Sequence, residues 1–134
     1  MRAQASFEYM MVFALAIAFA IPVWVYVSSL QQSAGEELSM SYARNAVNQI
    51  TSSADLVYTQ GPPAKVRLNV YIPSRVDMIN ITNKTVNFRI LSSAGVSDIF
   101  STSVANLTGT LSNSGGMYWI DVESKGDYVQ ITAE

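Results

Sequence analysis

The sequence predicts an α+β fold: a long N-terminal hydrophobic α-helix followed by a small C-terminal antiparallel β domain. No charged residue lies between Glu8 and Glu36, and the run Met10 to Val27 is almost wholly apolar. A helical recurrence of apolar residues continues to about Gln60. After Gly61-Pro62-Pro63 the apolar period changes from helical spacing to two, which is the signature of half-buried strands.

The first element follows from solvent preference. About twenty apolar residues in a helix cross the hydrocarbon of a bilayer, and Leu, Ile, Phe and Val each favour insertion by a few tenths of a kcal/mol. Tyr9 at one end of the run and Trp24 and Tyr26 near the other suit the interfacial preference of amphipathic rings. A cleaved secretory signal needs a small-residue cleavage site after the apolar run. Val23-Trp24-Val25-Tyr26-Val27 fits that poorly, which leaves a plain membrane anchor or a helix that packs on copies of itself. Ala14 and Ala18 lie four apart on one face, as do Ala16 and Ala20, and small residues at this spacing let helix backbones approach closely in apolar surroundings. Phe13, Phe19 and Trp24 can fill the remaining gaps. Pro22 removes one backbone donor and crowds the carbonyl of Ala18, so a kink or a short unwound stretch is expected near residues 18–22.

Ahead of this run, Gln4-Ala5-Ser6-Phe7-Glu8-Tyr9 resembles the Q-x-S-x-E-Y start of archaeal type IV pilins, the class III signal-peptide family. The resemblance covers about residues 2–30; the remainder is similar in architecture only. It implies a type IV pilin-like fold and a three-residue leader, residues 1–3, with Arg2 as its positive residue. Prepilin peptidase would cut between Ala3 and Gln4. It implies residence in the cell membrane as a precursor, then extraction by an assembly ATPase and a membrane platform protein into a homopolymeric surface filament used for adhesion. An archaellum subunit is the alternative within the same machinery, although archaellins usually lack this start. A monomeric membrane-anchored β module that binds a solute or partner is the competing class. The resemblance also implies that Glu8 meets the freed N-terminal amine of a neighbouring subunit and sets register. A local bond to Ser6, Tyr9 or first-turn amides is a second reading, favoured by the helix dipole. A headgroup-level carboxylate facing water is a third.

Residues 4–30 are thus the filament-core or membrane segment, and residues 31–60 the amphipathic half of the same helix. Leu38, Tyr42, Ala46, Ile50 and Ala54 recur every four positions with Val57 following, while Arg44, Asn45, Asn48 and Gln49 lie largely off that stripe. Ser33-Ala34-Gly35-Glu36 offers a capping box for a separate second helix, but one long helix from about Gln4 to Gln60, roughly 85 Å at 1.5 Å per residue, is the favoured reading. Gly61-Pro62-Pro63 terminates it. In the β domain, residues 61–134, Val66, Leu68, Val70 and Ile72 alternate with polar partners, as do Val86, Phe88 and Ile90. A strand is expected over 77–82 with Asn83-Lys84 as its turn, and the strands Met117–Glu123 and Tyr128–Ala133 read as a hairpin. Residues 96–111 give a weaker pattern. The total is five to seven strands, with the amphipathic half-helix over one face.

Composition excludes much chemistry. The chain of 134 residues has no Cys and no His, which removes disulfides, thiolate or imidazole metal sites and Ser–His or Cys–His nucleophile pairs. Net charge is −2 and the eight Lys and Arg residues are scattered, so there is no electrostatic grip on nucleic acid. No phosphate-binding or dinucleotide-binding loop is present, and neither catalysis nor a cofactor is indicated. Asp121, Glu123 and Asp127 could in principle hold a hard cation, but solvated surface carboxylates are the better reading. Three acceptor sequons begin at Asn80, Asn83 and Asn106, all in the expected exposed domain, and the resemblance implies glycosylation there.

Overall fold

The computed structural model describes the backbone of residues 2–134 and the side chains from Gln4 onward. Met1 and the side chains of Arg2 and Ala3 lie outside the described residues, and with them most of the expected leader. One helix, α1 (Arg2–Gln60), is followed by seven strands: β1 (Lys65–Ile72), β2 (Val76–Thr82), β3 (Thr85–Ser92), β4 (Gly95–Thr102), β5 (Asn106–Thr110), β6 (Gly116–Ser124) and β7 (Tyr128–Ala133). The fold is α+β, and the chain divides into two compact units, Met1–Glu36 and Glu37–Glu134.

In the first unit the backbone is helical without interruption, Pro22 included. Of the expected kink or unwound stretch near residues 18–22, the unwound stretch is absent: the helix continues through the loss of one intrahelical bond at Pro22. Gly35 does not break the helix either, so Ser33 starts no second one. The Ser33 hydroxyl instead donates to the Ser29 carbonyl at 3.0 Å, a bond made inside a continuing helix.

The second unit is two sheets and the last six turns of α1. One sheet has the order β1-β6-β7-β5, the other β2-β3-β4. All neighbours are antiparallel except β5 and β7, which run parallel. Inward residues alternate along each strand as the pleat demands: Val70 and Ile72 on β1, Val86, Phe88 and Ile90 on β3, Ile120 and Val122 on β6, Val129 and Ile131 on β7. They share one buried cluster with Ala43, Ala46, Val47, Ile50, Ala54 and Val57 of α1. The apolar stripe of the helix therefore differs from the expected one, because Leu38 and Tyr42 are exposed, whereas Ala43 and Val47 are buried. A series spaced strictly by four drifts about 40° per step around the helix, roughly 160° from Leu38 to Ala54, so it cannot stay on one face. The observed mixture of three- and four-residue steps follows the 3.6-residue period. Tyr42 still finds a partner: its ring meets Tyr71 of β1 edge-on at 5.2 Å between centroids.

Polar contacts fix the helix to β4 and the loop after it. Thr51 Oγ1 donates to Ser101 Oγ at 3.0 Å, and the Asp55 carboxylate accepts from Ser103 Oγ at 2.5 Å and from the Val104 N–H at 2.9 Å. The same loop is strapped to the β2–β3 turn, where Asn83 takes a left-handed φ of 53°: the Ser103 N–H donates to the Lys84 carbonyl at 2.6 Å, and the Leu107 N–H donates to Asn83. Asn is among the few residues that tolerate this conformation. The helix ends at Gly61, whose φ of 74° places its N–H on the carbonyls of Val57 and Tyr58 at 3.1 and 3.2 Å.

Gly109 sits in the parallel β5–β7 pair opposite Ile131. A Cβ there would stand 2.0 Å from the Ile131 carbonyl oxygen, which is backbone and cannot rotate away. Gly109→Ala should therefore destabilise the second unit by about 1–3 kcal/mol or more, read as a lower denaturant midpoint for the near-ultraviolet signal of the full chain. Asp55→Ala, which leaves the Ser103 hydroxyl and Val104 N–H without their charged acceptor, should cost roughly 1.5–3 kcal/mol in the same measurement.

Candidate functional site: the apolar helix and the domain surface

In the unit Met1–Glu36, every side chain from Gln4 to Gly35 is exposed. The residues expected to pack are all among them: Ala14, Ala16, Ala18 and Ala20, with Phe13, Phe19 and Trp24 at 68%, 70% and 74% exposure. A helix that is apolar on all sides has no water-facing surface, so its stable environment is lipid or other apolar helices. This is a helix long and apolar enough to cross a membrane, and it is consistent with membrane insertion.

Glu8 is exposed and lies between Ala5, Tyr9 and Val12, which border a shallow hollow around it. Among the described residues, which begin at Arg2, no acidic residue lies in the first helical turn, and Glu8 follows in the second. Pro22 is exposed among apolar neighbours.

The three sequons sit on the second unit. Asn80 lies on β2, Asn83 in the β2–β3 turn and Asn106 at the first position of β5, and all three are exposed. Thr82 Oγ1 donates to Asn80 Oδ1 at 2.7 Å, so the first sequon is internally ordered.

The acidic group Asp121, Glu123 and Asp127 is not brought together around a vacant centre. Asp121 is held by Lys65 Nζ at 3.0 Å and by Arg67 Nε at 2.7 Å, and Glu123 pairs with Lys125 at 2.8 Å. Arg67 also reaches Glu134 at 2.8 Å. Hydrogen bonds from Arg67 and Lys65 hold the Asp121 carboxyl well below the usual carboxylate range, and hydrogen bonding and charge from Asp121 push Arg67 further up. These partners lie 54 residues apart in sequence and meet because β1 and β6 pair in the register Arg67↔Asp121. The signal available beforehand was complementary alternation, Lys65 and Arg67 against Asp121 and Glu123, but it identifies partners only once the pairing of the two strands is known.

No protein-family model, curated protein or solved structure gives a significant match to the chain.

Because the folded carboxyl of Asp121 is depressed, its contribution to stability is fully present above the unfolded value of about 3.9 and is lost as pH falls through the folded value. Carboxyl chemical shifts followed by NMR should show Asp121 still ionised at about pH 3, where an ordinary Asp is mostly protonated. Arg67→Ala should return the Asp121 titration towards the ordinary range.

Proposed function

We propose that this chain is a structural subunit of an archaeal type IV pilus-like surface filament used for adhesion. The observation that carries the reading is the exposed apolar helix of the first unit, without charge from Tyr9 to Gly35, joined in sequence to a β domain with its own core. Before assembly that helix would reside in the cell membrane; after it, copies of the helix would cover one another. The start Gln4-Ala5-Ser6-Phe7-Glu8-Tyr9, which resembles the pilin processing site, supports cleavage between Ala3 and Gln4 by prepilin peptidase. Partners would be further copies of this chain, the assembly ATPase and the platform protein.

Glu8 stands at the edge of the apolar run, where burial without a partner costs several kcal/mol. A neighbour's new N-terminal amine would satisfy it only at the correct axial offset, which makes the carboxylate a register device. Ala14, Ala16, Ala18 and Ala20 would admit close backbone approach, with Phe13, Phe19 and Trp24 as fillers. Asn80, Asn83 and Asn106 would carry glycans on the filament exterior, where bulky sugar shields a weakly charged surface.

Electron microscopy of surface appendages, with the subunit identified by peptide mass, tests the reading; detergent-soluble monomers without filaments would instead support a membrane-anchored binding module. Glu8→Ala should reduce filament yield at least about tenfold, corresponding to some 1.4 kcal/mol per assembly step, while the amount of membrane-resident precursor is unchanged. Normal yield would remove the register role. Intact mass should show the assembled subunit beginning at Gln4 and carrying at least one glycan.

A further inference from the structure

The three sequons differ in what lies beside them. Asn83 stands in the β2–β3 turn, between the paired Thr82 and Thr85. Asn80 of β2 pairs with Asn87 of β3, which pairs in turn with the exposed Phe100 of β4. The aromatic in that row is therefore two strand spacings away, roughly 10 Å. Asn106, the first residue of β5, is directly in register with Tyr128, the first residue of β7. One strand spacing, about 4.8 Å, separates the two backbones there.

Both side chains leave the sheet on the same face. The next residue of each strand, Leu107 and Val129, is buried in the core, so by alternation Asn106 and Tyr128 lie on the outward face. Asn106 and Thr108, the hydroxyl residue of its sequon, are exposed, and Tyr128 is 41% exposed, which leaves ring surface uncovered beside the acceptor amide. A sugar ring has an apolar C–H side that fits the flat apolar face of an aromatic ring. The sequon is what commits this surface to a sugar. A free saccharide would meet one tyrosine only weakly, whereas a sugar bonded to Asn106 is held beside the ring at high effective concentration.

β5 is also the strand that gains most from a clamp. It is last in the order β1-β6-β7-β5, is five residues long, and is joined to β7 by a parallel ladder, the pairing that is slightly less stable per residue. Gly109 adds no side chain to that ladder.

We infer that Asn106 carries an N-linked glycan whose first sugar packs on the Tyr128 ring and clamps β5 to β7. In the transfer, Asn106 Nδ2 attacks C1 of a sugar activated as a lipid-linked phosphate. The N–C1 bond forms, the C1–O bond to phosphate breaks, the amide nitrogen loses one proton, and the lipid phosphate leaves. The clamp rests on the surface-sugar part of the proposed function and gives one of the three acceptors a structural role besides shielding.

Peptide mass mapping of the unsubstituted chain from its native cells should show sugar on Asn106. Asn80→Gln and Asn83→Asp then leave Asn106 as the one sequon, Asp being tolerated in a left-handed turn position. This full chain is purified in detergent from native cells and, without sugar, from a bacterium that lacks N-glycosylation, in each case with Tyr128 intact, with Tyr128→Phe and with Tyr128→Ala. Denaturant unfolding is followed by the near-ultraviolet signal. The glycan should raise the folding equilibrium constant about threefold or more with Tyr128 and with Tyr128→Phe, the lower end of what an aromatic contact contributes, and leave it unchanged with Tyr128→Ala. A bare Asn106 in the native chain, no gain from the glycan with Tyr128 intact, or an equal gain with Tyr128→Ala would each overturn the inference. Filament formation is not part of the readout, and sugar on Asn80 or Asn83 with Asn106 bare would leave the proposed function standing.

Discussion

The constraint on which the rest depends is that the first half of α1 is intolerable to water on every side. Met10 to Val27 offers no polar face, and each large apolar side chain covered contributes about 1.5–3 kcal/mol relative to water. The environment that covers it must be apolar around the whole circumference, as lipid and a bundle of like helices both are. Exchange between those two yields little hydrophobic free energy, because lipid tails are as apolar as Leu. In the proposed filament the choice between them would fall to small terms: backbone approach at the alanines, the fit of Phe and Trp, and the pairing of one carboxylate. This is why a single charge at Glu8 can matter out of proportion to its size.

The second half of the same helix meets the opposite requirement. From Ala43 to Val57 its buried side chains are mostly small, Ala and Val with one Ile and Thr51, so the sheets can approach closely and the bulk of the core comes from the strands, Phe88 above all. Its polar side chains are divided by position. Thr51 turns to β4 and Asp55 to the β4–β5 connection, and they fix the helix azimuth through Ser101, Ser103 and Val104, whereas the amides at 45, 48 and 49 are left facing outward. An Asp that accepts two bonds from one loop is a stiffer coupling than apolar contact, which is non-directional.

Much of this was legible beforehand because it rests on periodicity. The helix and its end at Gly61, β1, β2, β3, the Asn83-Lys84 turn and the β6–β7 hairpin all announce themselves by spacing or turn chemistry. The buried stripe lies elsewhere than a count by four puts it: that count selects Leu38 and Tyr42 for their side chains, while packing selects Ala43 and Val47 for their azimuth. β4 and β5 were obscured because Ser and Thr occupy outward and inward positions alike; Ser103 is buried, yet it is polar because its partner Asp55 comes from a distant helix. The parallel β5–β7 pair was invisible for a different reason. Strand order is a property of long-range pairing, and no local pattern in Asn106–Thr110 encodes a partner beyond β6. The ion pairs of β1 with β6 likewise depend on long-range pairing.

The surface chemistry of the second unit fits its proposed setting. Charged residues make up only 13% of the chain, and those on β1 and β6 largely neutralise one another within the domain. In a filament, any uncompensated charge would recur on every neighbour, within reach of a screening length of about 8 Å at physiological salt. Solubility supplied by neutral amides and hydroxyls escapes that penalty, since such groups hydrate without repelling their own copies.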